Sequence, residues 1–551
     1  MDTIIVTFED GSKREYRKGI KLEEIINDVR INSEFDVICA LYRNQVIFGE
    51  DSLVKNGKLI FCDINTKEGN KTYERGLLFL FQVVVVGLFG EGTRVKIKHS
   101  VDGGVYAELD RDITKDDLKE IKARMKDLVN KGIPFTKVET SRLEAINYFN
   151  NIKRKDKVKT LSYNTSEFVT LYKFNGIYNY ILGNLPENAG VLKYFDFTLL
   201  NERGVVIRFP SMYDNGVIKK YVHHDKYFSS LEDYSKWGSV LKLDNLGELN
   251  EAIINNNASE IIQLSETIQN YKLLSIAEEI VLNKDTVKVV LLSGPSSSGK
   301  TTTARKLSLY LKSLGLNPLP ISIDDYFVER KDTPVDENGK PDYESVRAID
   351  IKLFNSQINK LLKGTSVTLP TFNFITGSKE YHKIVKMGLN DILIIEGLHA
   401  LNEELTRDID KKRKYKIYIS PLTFLNVDDD NRISMTDIRL LRRMVRDSRT
   451  RGYSPSHTLA TWSDVRKGEQ KYVFPYQDVD NVVFNSALVY ELGVLKTYVE
   501  PLLFSIREDD PQYNTARRLL ELLKFVLPIP GDDVPNISIL REFIGGSYFE
   551  K

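Results

Sequence analysis

The residues with the clearest chemical pattern form a glycine-rich segment in the second half of the chain. Residues 294–302 read GPSSSGKTT, follow an apolar stretch and precede residues typical of a helix. In that setting the backbone N–H groups of the loop can surround phosphate oxygens, and the helix N-terminus adds positive potential. Lys300 would reach the β- and γ-phosphates, and the Thr301 hydroxyl would bind Mg²⁺. The spacing predicts a nucleoside triphosphate site, the P-loop, formed by Gly294, Pro295, Ser296, Ser297, Ser298, Gly299, Lys300, Thr301 and Thr302.

Acidic residues follow two of the strands predicted around the P-loop. Apolar stretches alternate here with helix-forming ones, which predicts a parallel sheet with helices on both faces and strands at 287–292, 319–323, 392–395, 415–419 and 482–484. In such sheets ligands bind at the carboxyl ends of the strands. Asp324 and Asp325 follow the second strand, and Glu396 follows the third. Because phosphoryl transfer needs a base and oxygen ligands for Mg²⁺, we expect Asp324 and Glu396 to supply them.

A run of arginines forms a third candidate for phosphate binding. Its members are Arg442, Arg443, Arg446, Arg449 and Arg451. Spacings of four and three place residues 442, 446 and 449 on one face of a helix, where like charges repel unless an anion binds. Guanidinium groups match phosphate oxygens in pairs, so we expect this face to bind the triphosphate. A solvated helix face and an RNA-binding patch are the alternatives.

These segments together resemble the uridine kinase / phosphoribulokinase family of P-loop kinases. The resemblance is carried by DDYF at 324–327, DYESVRAID at 342–350, PTFNFITGSK at 370–379, EGL at 396–398 and RRMVRDSRTRG at 442–452. It implies ATP and Mg²⁺ as cofactors, with Asp324 as the general base and Thr301, Asp324 and Glu396 as ligands of Mg²⁺. It also implies that Lys300 and Arg446 act in catalysis and that Arg443, Arg449 and Arg451 bind ATP.

The same resemblance implies where an acceptor alcohol would bind. Glu344 falls at the carboxylate that pairs with ribose hydroxyls, and the full expected set is Tyr326, Glu344, Phe372, Lys379 and His382. Two positions depart from the family, since Phe372 lacks a hydroxyl and Gly377 stands where the family has histidine; His382 is the candidate substitute. The expected reaction is phosphorylation of the 5′-hydroxyl of a ribonucleoside, uridine- or cytidine-like or broader. A nucleotide-dependent RNA- or tRNA-binding regulator, and a kinase acting on a sugar phosphate or another alcohol, stay open.

The front half resembles two domains of threonyl-tRNA synthetases. Residues 1–64, with the hairpin FEDGSKREY, resemble the small β-grasp TGS domain, and residues 65–210 resemble the editing domain, most clearly over 103–149. The synthetase editing site uses an H-x-x-x-H pair and a later Cys/His pair. Here the matching segments read YERGLLF at 73–79 and YILGNLP at 180–186, without His or Cys. We therefore expect no zinc and no deacylation of tRNA, while nucleic-acid binding by this half stays open.

Composition restricts the remaining classes of function. The 551 residues carry 78 Lys and Arg against 77 Asp and Glu, a balance that argues against a nucleic-acid or membrane footprint over the whole chain. Cys39 and Cys62 are too few for a disulfide framework and are predicted to be buried thiols. The apolar stretch at 76–90 is shorter than the ~20 residues that span a bilayer, so a core helix is predicted. We expect a cytoplasmic protein without membrane contact, and self-association stays open.

These patterns predict an α/β multidomain protein. In chain order we expect a β-grasp domain (1–64), an α+β editing-like domain (65–210), a mostly helical connector (211–285), a P-loop NTPase domain with a parallel sheet flanked by helices (286–490) and a helical tail (491–551). Apolar residues recurring at three and four predict a helix over 246–283 in the connector. The sequence does not decide whether the tail covers the P-loop domain or docks on the front half.

Overall fold

The computed structural model describes residues 2–550 apart from 30–33, 102, 336–338, 340, 374–375, 424 and 479–480. One hydrophobic cluster continues from side chains within 145–171, through one face of a parallel sheet, to the C-terminal helices. The front and back halves therefore pack through a shared core. The domain boundaries given above stay predictions, because this cluster crosses several of them.

The N-terminal residues form a mixed sheet with a helix packed on it. Its elements are β1 (Thr3–Thr7), β2 (Lys13–Arg17), β3 (Ile20–Lys21), α1 (Leu22–Val29), β4 (Cys39–Tyr42), β5 (Gln45–Ile47), β6 (Ser52–Leu53) and β7 (Gly57–Cys62). The sheet order is β2-β1-β7-β4-β5, with β1 and β7 parallel. Cys39 and Cys62 face each other across β4 and β7 and are both buried, which confirms the expected buried thiols. Assignment of this sheet to the TGS family stays a prediction.

A long apolar helix is the centre of the next part of the chain. The elements are α2 (Lys67–Phe89), β8 (Val95–Val101), β9 (Gly104–Leu109), α3 (Lys115–Asn130), β10 (Thr136–Ser141), α4 (Arg142–Asn151), α5 (Lys155–Ser162), β11 (Phe168–Phe174), β12 (Ile177–Asn179), β13 (Asp196–Leu199) and β14 (Gly204–Arg208). Among the described residues, α2 is the helix long and apolar enough to cross a bilayer by length and composition, and 67% of its most apolar window is buried. Leu77, Phe79 and Phe81 lie inside, as predicted for a core helix.

Tyr73 and Leu77 lie on α2 in the segment that the resemblance matches to the H-x-x-x-H pair. Both side chains are fully buried, and the Tyr73 hydroxyl donates to the carbonyl oxygen of Tyr194. These positions therefore contribute to the hydrophobic core around α2, and the resemblance to an editing domain stays a prediction.

The segment predicted as a connector contains three helices, and its second half is not one helix. It contains α6 (Asp225–Leu241), α7 (Leu246–Ile254) and α8 (Ala258–Leu282). Asn256 has a φ of 60°, a left-handed conformation that asparagine tolerates and that ends α7. The predicted helix over 246–283 is thus correct in type and wrong in continuity.

The second half forms the predicted parallel sheet. Its elements are β15 (Val289–Ser293), α9 (Lys300–Ser313), β16 (Asn317–Ser322), α10 (Ile351–Leu362), β17 (Val367–Asn373), β18 (Ser378–Val385), β19 (Asp391–Glu396), α11 (Glu403–Thr406), β20 (Lys414–Ser420), α12 (Met435–Arg446), α13 (Pro455–Tyr472) and β21 (Val482–Asn485). The sheet order β16-β19-β15-β20-β21 is parallel throughout. Alternate residues of β15 enter hydrophobic clusters on opposite faces, so both faces are covered. All five strand predictions match a strand to within two residues.

The hairpin β17–β18 and the C-terminal helices complete the fold. After β21 the chain forms α14 (Glu491–Phe504), α15 (Tyr513–Leu523) and α16 (Arg541–Ile544). Leu495, Leu519 and Phe543 belong to the same hydrophobic cluster as the parallel sheet. The predicted tail is therefore packed onto the P-loop domain, and Lys67 of α2 also donates to the Thr515 hydroxyl on α15.

Candidate active site

The P-loop joins the end of β15 to the start of α9, as the sequence predicts. Strand β15 ends at Ser293, and α9 begins at Lys300 directly after Gly299. Gly299 has a φ of 86°, a left-handed conformation in which a side chain is strained. A Cβ atom on Gly294 would collide with the carbonyl oxygen of Ile419 on the neighbouring strand β20. These two glycines allow the backbone to turn tightly between the strand and the helix.

Lys300 lies folded over its own loop. Its Nζ donates to the carbonyl oxygens of Gly294 at 2.9 Å and Pro295 at 3.2 Å. Burial lowers the pKa of the Lys300 ammonium, and the nearby carboxylates of Glu396 and Asp324 oppose that shift. The cation is therefore held near Asp324, the predicted base, and Glu396, a predicted Mg²⁺ ligand, within the loop that would surround phosphate groups.

The strand register places Glu396 next to the P-loop. Glu396 ends β19 and lies opposite Leu292 of β15 on one side and Ser322 of β16 on the other. Its Oε1 accepts hydrogen bonds from the Thr301 hydroxyl at 3.4 Å and from the Ser322 hydroxyl at 3.5 Å. The parallel sheet thus brings together a hydroxyl and a carboxylate that the sequence assigned to Mg²⁺.

Asp324 and Glu396 share one negatively charged environment beside Lys300. Burial raises the pKa of Glu396 to about 7, and the charge of Asp324 adds to this while Lys300 opposes it. Burial also raises the pKa of Asp324, with Lys300 lowering it and Asp325 raising it. Two carboxylates whose charged forms are penalised in this way favour the arrival of a cation.

Glu344 faces the same site from the segment before α10. A Cβ atom on Gly468 of α13 would lie 2.9 Å from the Glu344 Cβ, so the two elements are in close contact. Burial raises the pKa of Glu344 to about 7, and the charge of Glu469 adds to this while Arg443 and Lys300 lower it. The structure therefore brings Glu344 within electrostatic range of Lys300, as the predicted site requires.

The oxygen donors beside the P-loop fit Mg²⁺ held jointly with a nucleotide. Within the part of the chain that the structure describes, no group of three or more His, Cys, Asp or Glu residues is arranged to hold a metal ion by itself. Mg²⁺ usually takes one or two protein ligands and completes its octahedron with water and phosphate oxygens. Thr301, Asp324 and Glu396 supply a hydroxyl and carboxylates of the required kind.

Asp447 pairs with several arginines of the run at 442–451, which is called the lid below. This fully buried carboxylate forms ion pairs with Arg443 at 3.2 Å, Arg446 at 3.1 Å and Arg451 at 3.4 Å. Arg443 also donates from Nη1 to the Ser296 hydroxyl of the P-loop at 2.9 Å. Three of the predicted phosphate-binding arginines are thus held together by one counterion, with Arg443 already at the loop.

The prediction that Arg442, Arg446 and Arg449 share one phosphate-binding face is wrong. Arg442 is fully buried, and its Nε donates to Glu491 at 2.7 Å. Arg449 pairs with Glu550 at 2.6 Å instead of reaching the P-loop. The physical reason is that α12 ends at Arg446 and continues as a π turn, so helical spacing does not extend to Arg449.

Two of the predicted acceptor-binding residues place their side chains in the hydrophobic core or in solvent. Tyr326 is 1% exposed within a hydrophobic cluster, and its hydroxyl donates to Oε1 of Gln357 at 2.9 Å. The side chain of His382 on β18 is 75% exposed and interacts with Glu380 at 3.2 Å. As placed, the Tyr326 side chain supports the core and the His382 side chain faces solvent, and their assignment to an acceptor stays a prediction.

Phe372 and Lys379 connect the hairpin to the catalytic segment. The N–H of Phe372 donates to Oδ1 of Asp325 at 3.2 Å. Asp325 directly follows the predicted base, Asp324, in the sequence. Lys379 donates to Asp350, the N-cap of α10, at 3.0 Å. Both residues therefore fix the hairpin against the elements that carry Asp324 and Glu344.

Sequence reasoning missed Glu469, which bridges the P-loop and the lid. Its Oε1 accepts a hydrogen bond from the N–H of Ser296 at 2.8 Å and another from Arg439, while Oε2 accepts from Arg466 at 2.9 Å. The carboxylate is fully buried on α13. Nothing in the local sequence separates it from other helical glutamates, because its partners lie on distant elements.

Residues 289–491 match the model of the Phosphoribulokinase / Uridine kinase family. The C-terminal part of the chain carries a domain of this family. The uridine kinase of Leuconostoc citreum (strain KM20) is 26% identical over 198 residues, covering 35% of this chain and 85% of the relative. The uridine kinase of Bacillus pumilus (strain SAFR-032) is 28% identical over 195 residues, covering 35% and 84%.

A solved structure described as a "Possible Uridine Kinase" from Bacillus stearothermophilus is similar to a short part of this chain. The identity is 26% and the TM-score 0.21, with 24% of this chain and 70% of that chain covered. A likeness of that extent supports no argument about the whole chain. The matched family segment leaves residues 1–288 and 492–551 outside it.

Proposed function

We propose that the chain is an ATP-dependent kinase that transfers the γ-phosphoryl group to the 5′-hydroxyl of a ribonucleoside, uridine- or cytidine-like or broader. The observation that carries the proposal is the set of carboxylates whose charges act on one another and on Lys300, namely Asp324, Glu344 and Glu396. A nucleotide-dependent switch needs a P-loop and ligands for Mg²⁺. It needs no base for an acceptor hydroxyl and no carboxylate for a ribose.

Lys300 and the lid arginines would bind the triphosphate. To reach phosphate oxygens, Lys300 exchanges its bonds to the carbonyls of Gly294 and Pro295 for bonds to the nucleotide. Arg443 already donates a hydrogen bond to Ser296 of the P-loop. Arg443 and Arg446 both form ion pairs with Asp447. Thr301, Glu396 and Asp324 would hold Mg²⁺, which would neutralise charge on the β- and γ-phosphates. These cations together stabilise the negative charge of the transferring group.

Asp324 would accept the proton of the acceptor hydroxyl. It follows β16 at the carboxyl edge of the sheet and lies close enough to Lys300 for their charges to interact. Burial raises its pKa, and a carboxylate with a raised pKa is a stronger proton acceptor once it is ionised. Glu344, on the lid side of the site, would accept hydrogen bonds from ribose hydroxyls and so orient the 5′-hydroxyl.

We expect Glu344→Gln to raise KM for a ribonucleoside by about tenfold or more while changing KM for ATP little. The amide keeps the shape but cannot accept two hydrogen bonds through a charged group, which is worth about 1.5–3 kcal/mol. Steady-state kinetics with each substrate varied in turn measure both constants. Glu380→Gln on the exposed hairpin is the matched control. If Glu344→Gln had full activity and an unchanged KM for the acceptor, the acceptor would be a molecule without ribose.

We expect activity and stability to depend on pH in opposite directions near neutrality. Glu344 and Glu396 have pKa values of about 7, so kcat/KM should fall about tenfold or more between about pH 8 and about pH 6 as they become protonated. Because burial raises both values above those of the unfolded chain, their contribution to stability is present at low pH and is lost as pH rises through 7. Thermal unfolding without nucleotide, compared with kcat/KM, checks both signs. An activity that is flat over this range would contradict the assignment.

The acceptor class is tested by ADP release from the wild-type protein over a panel of ribonucleosides, deoxyribonucleosides, sugar phosphates and other alcohols. We expect ribonucleosides to stimulate ADP release and their 2′-deoxy forms to be poorer acceptors, because Glu344 loses a hydroxyl partner. Stimulation by sugar phosphates alone would keep the kinase and replace the acceptor. Stimulation by RNA, without a phosphorylated product, would favour the nucleotide-dependent regulator.

A further inference from the structure

The C-terminal segment (residues 538–550) lies on the phosphate-binding end of α9. Glu542 in α16 accepts two hydrogen bonds at Oε2, from the N–H of Thr302 at 3.3 Å and from the Thr302 hydroxyl at 2.7 Å. Thr302 is the last residue of the predicted P-loop, more than two hundred residues earlier in the chain. An acidic residue from outside the family domain therefore contacts the site predicted to bind phosphate.

The donors that Glu542 occupies are those that a helix offers to an anion. The first N–H groups of a helix have no partner within it, and they attract anions together with the positive helix end. In α9, intrahelical pairing starts with the bond from the Thr303 N–H to the Gly299 carbonyl, which leaves the Thr302 N–H for an outside acceptor. The Glu542 carboxylate takes that N–H and the adjacent hydroxyl, as a phosphate oxygen could.

The electrostatic neighbours of Glu542 are the residues of the candidate active site. Its charge acts on the Lys300 ammonium and raises the pKa of the Glu396 carboxyl. Glu542 is thus a further negative charge beside Asp324 and Glu396. A triphosphate arriving at the P-loop would meet it as a like charge.

The rest of the segment is attached to both the P-loop and the lid. The Ile539 side chain packs against Gly299, where a Cβ atom would collide with it. Arg449, which the sequence assigns to ATP, donates to the carbonyl of Phe543 at 3.1 Å and to the carboxylate of Glu550 at 2.6 Å. The segment therefore engages a predicted nucleotide-binding arginine as well as the helix end.

We propose that Glu542 is a further determinant of affinity for the phosphate donor. It holds the N–H and hydroxyl donors of Thr302 until the nucleotide arrives and then yields them to a phosphate group. This inference rests on the proposed function, because it requires ATP to bind at the P-loop. Displacement of the carboxylate opposes nucleotide binding, so neutralising Glu542 should strengthen it.

The direct test is calorimetric binding of ATP with Mg²⁺ to the full chain, without any acceptor. Glu542→Gln should bind ATP about tenfold more tightly than wild type, since a charged competitor for two donors is removed. Asp532→Asn makes the same charge change at an exposed position of the C-terminal region and should leave affinity unchanged. Equal or weaker binding by Glu542→Gln would overturn the proposal while leaving the kinase assignment standing. Absence of ATP binding in both wild type and Glu542→Gln would overturn both.

A second measurement uses the wild-type chain and so does not depend on folding of the variant. We expect hydrogen exchange of the backbone amides at 538–550 to increase when ATP and Mg²⁺ are added, because the segment loses its contacts with Thr302 and Arg449. Exchange that is unchanged or slower with ATP would show that the segment stays in place as a wall of the nucleotide site, and it would overturn displacement.

Discussion

Lys300→Ala should lower kcat/KM for phosphoryl transfer by at least about 10²–10³-fold while leaving the fold intact. The side chain is the cation inside the P-loop, and its loss removes stabilisation of charge that develops on the transferring group. In the structure its bonds go to two carbonyls of the same loop, so its removal leaves the sheet and helices in place. Single-turnover ADP formation and far-UV circular dichroism measure the two effects separately.

Lys312→Ala is the matched control for this variant. Lys312 is exposed at the other end of α9. Its replacement by alanine removes the same charge from the same helix. We expect it to retain wild-type kinetics. Wild-type turnover by Lys300→Ala would contradict the P-loop assignment.

Asp324→Asn should depress kcat by roughly 10²–10⁴-fold while leaving ATP affinity within a few-fold of wild type. The amide keeps the shape of the side chain but cannot accept a proton, and it also loses a charge that helps to hold Mg²⁺. The carboxylate lies near Lys300 at the carboxyl end of β16, where an acceptor hydroxyl would meet the γ-phosphate. Turnover at saturating ATP and nucleoside, with binding measured separately, distinguishes chemistry from affinity.

Asp325→Asn is the closest comparison, since it changes the adjacent carboxylate. Asp325 accepts a hydrogen bond at Oδ1 from the N–H of Phe372, a role that the asparagine carbonyl oxygen can keep. We expect a much smaller loss of kcat than for Asp324→Asn. If the two variants lost activity equally, the base would not be assigned to Asp324.

The site residues that sequence could predict are those fixed by local rules. The P-loop needs a strand, two glycines and a helix within a short stretch, and all are adjacent in the chain. Asp324 and Glu396 could be paired because parallel strands end at one edge, which the register of β19 against β15 and β16 confirms. Their meeting follows from sheet topology and not from the spacing between them.

The residues that sequence could not place depend on contacts between distant elements. Glu469 and Glu542 reach the P-loop from α13 and α16, and neither stands in a recognisable motif. Arg449 was misplaced because a π turn interrupts the helical spacing on which its prediction depended. The hairpin strand β17 was missed since Pro370 lies within it, and proline is unusual inside a strand.

The most direct test of the proposed activity is identification of the product formed by wild-type protein from γ-labelled ATP, Mg²⁺ and a ribonucleoside. Mass spectrometry should show a labelled nucleoside 5′-monophosphate, formed in proportion to ADP. This product should be absent with Lys300→Ala and strongly reduced with Asp324→Asn. Release of labelled inorganic phosphate alone, with every ribonucleoside recovered unchanged, would contradict the proposal that this chain is a ribonucleoside kinase.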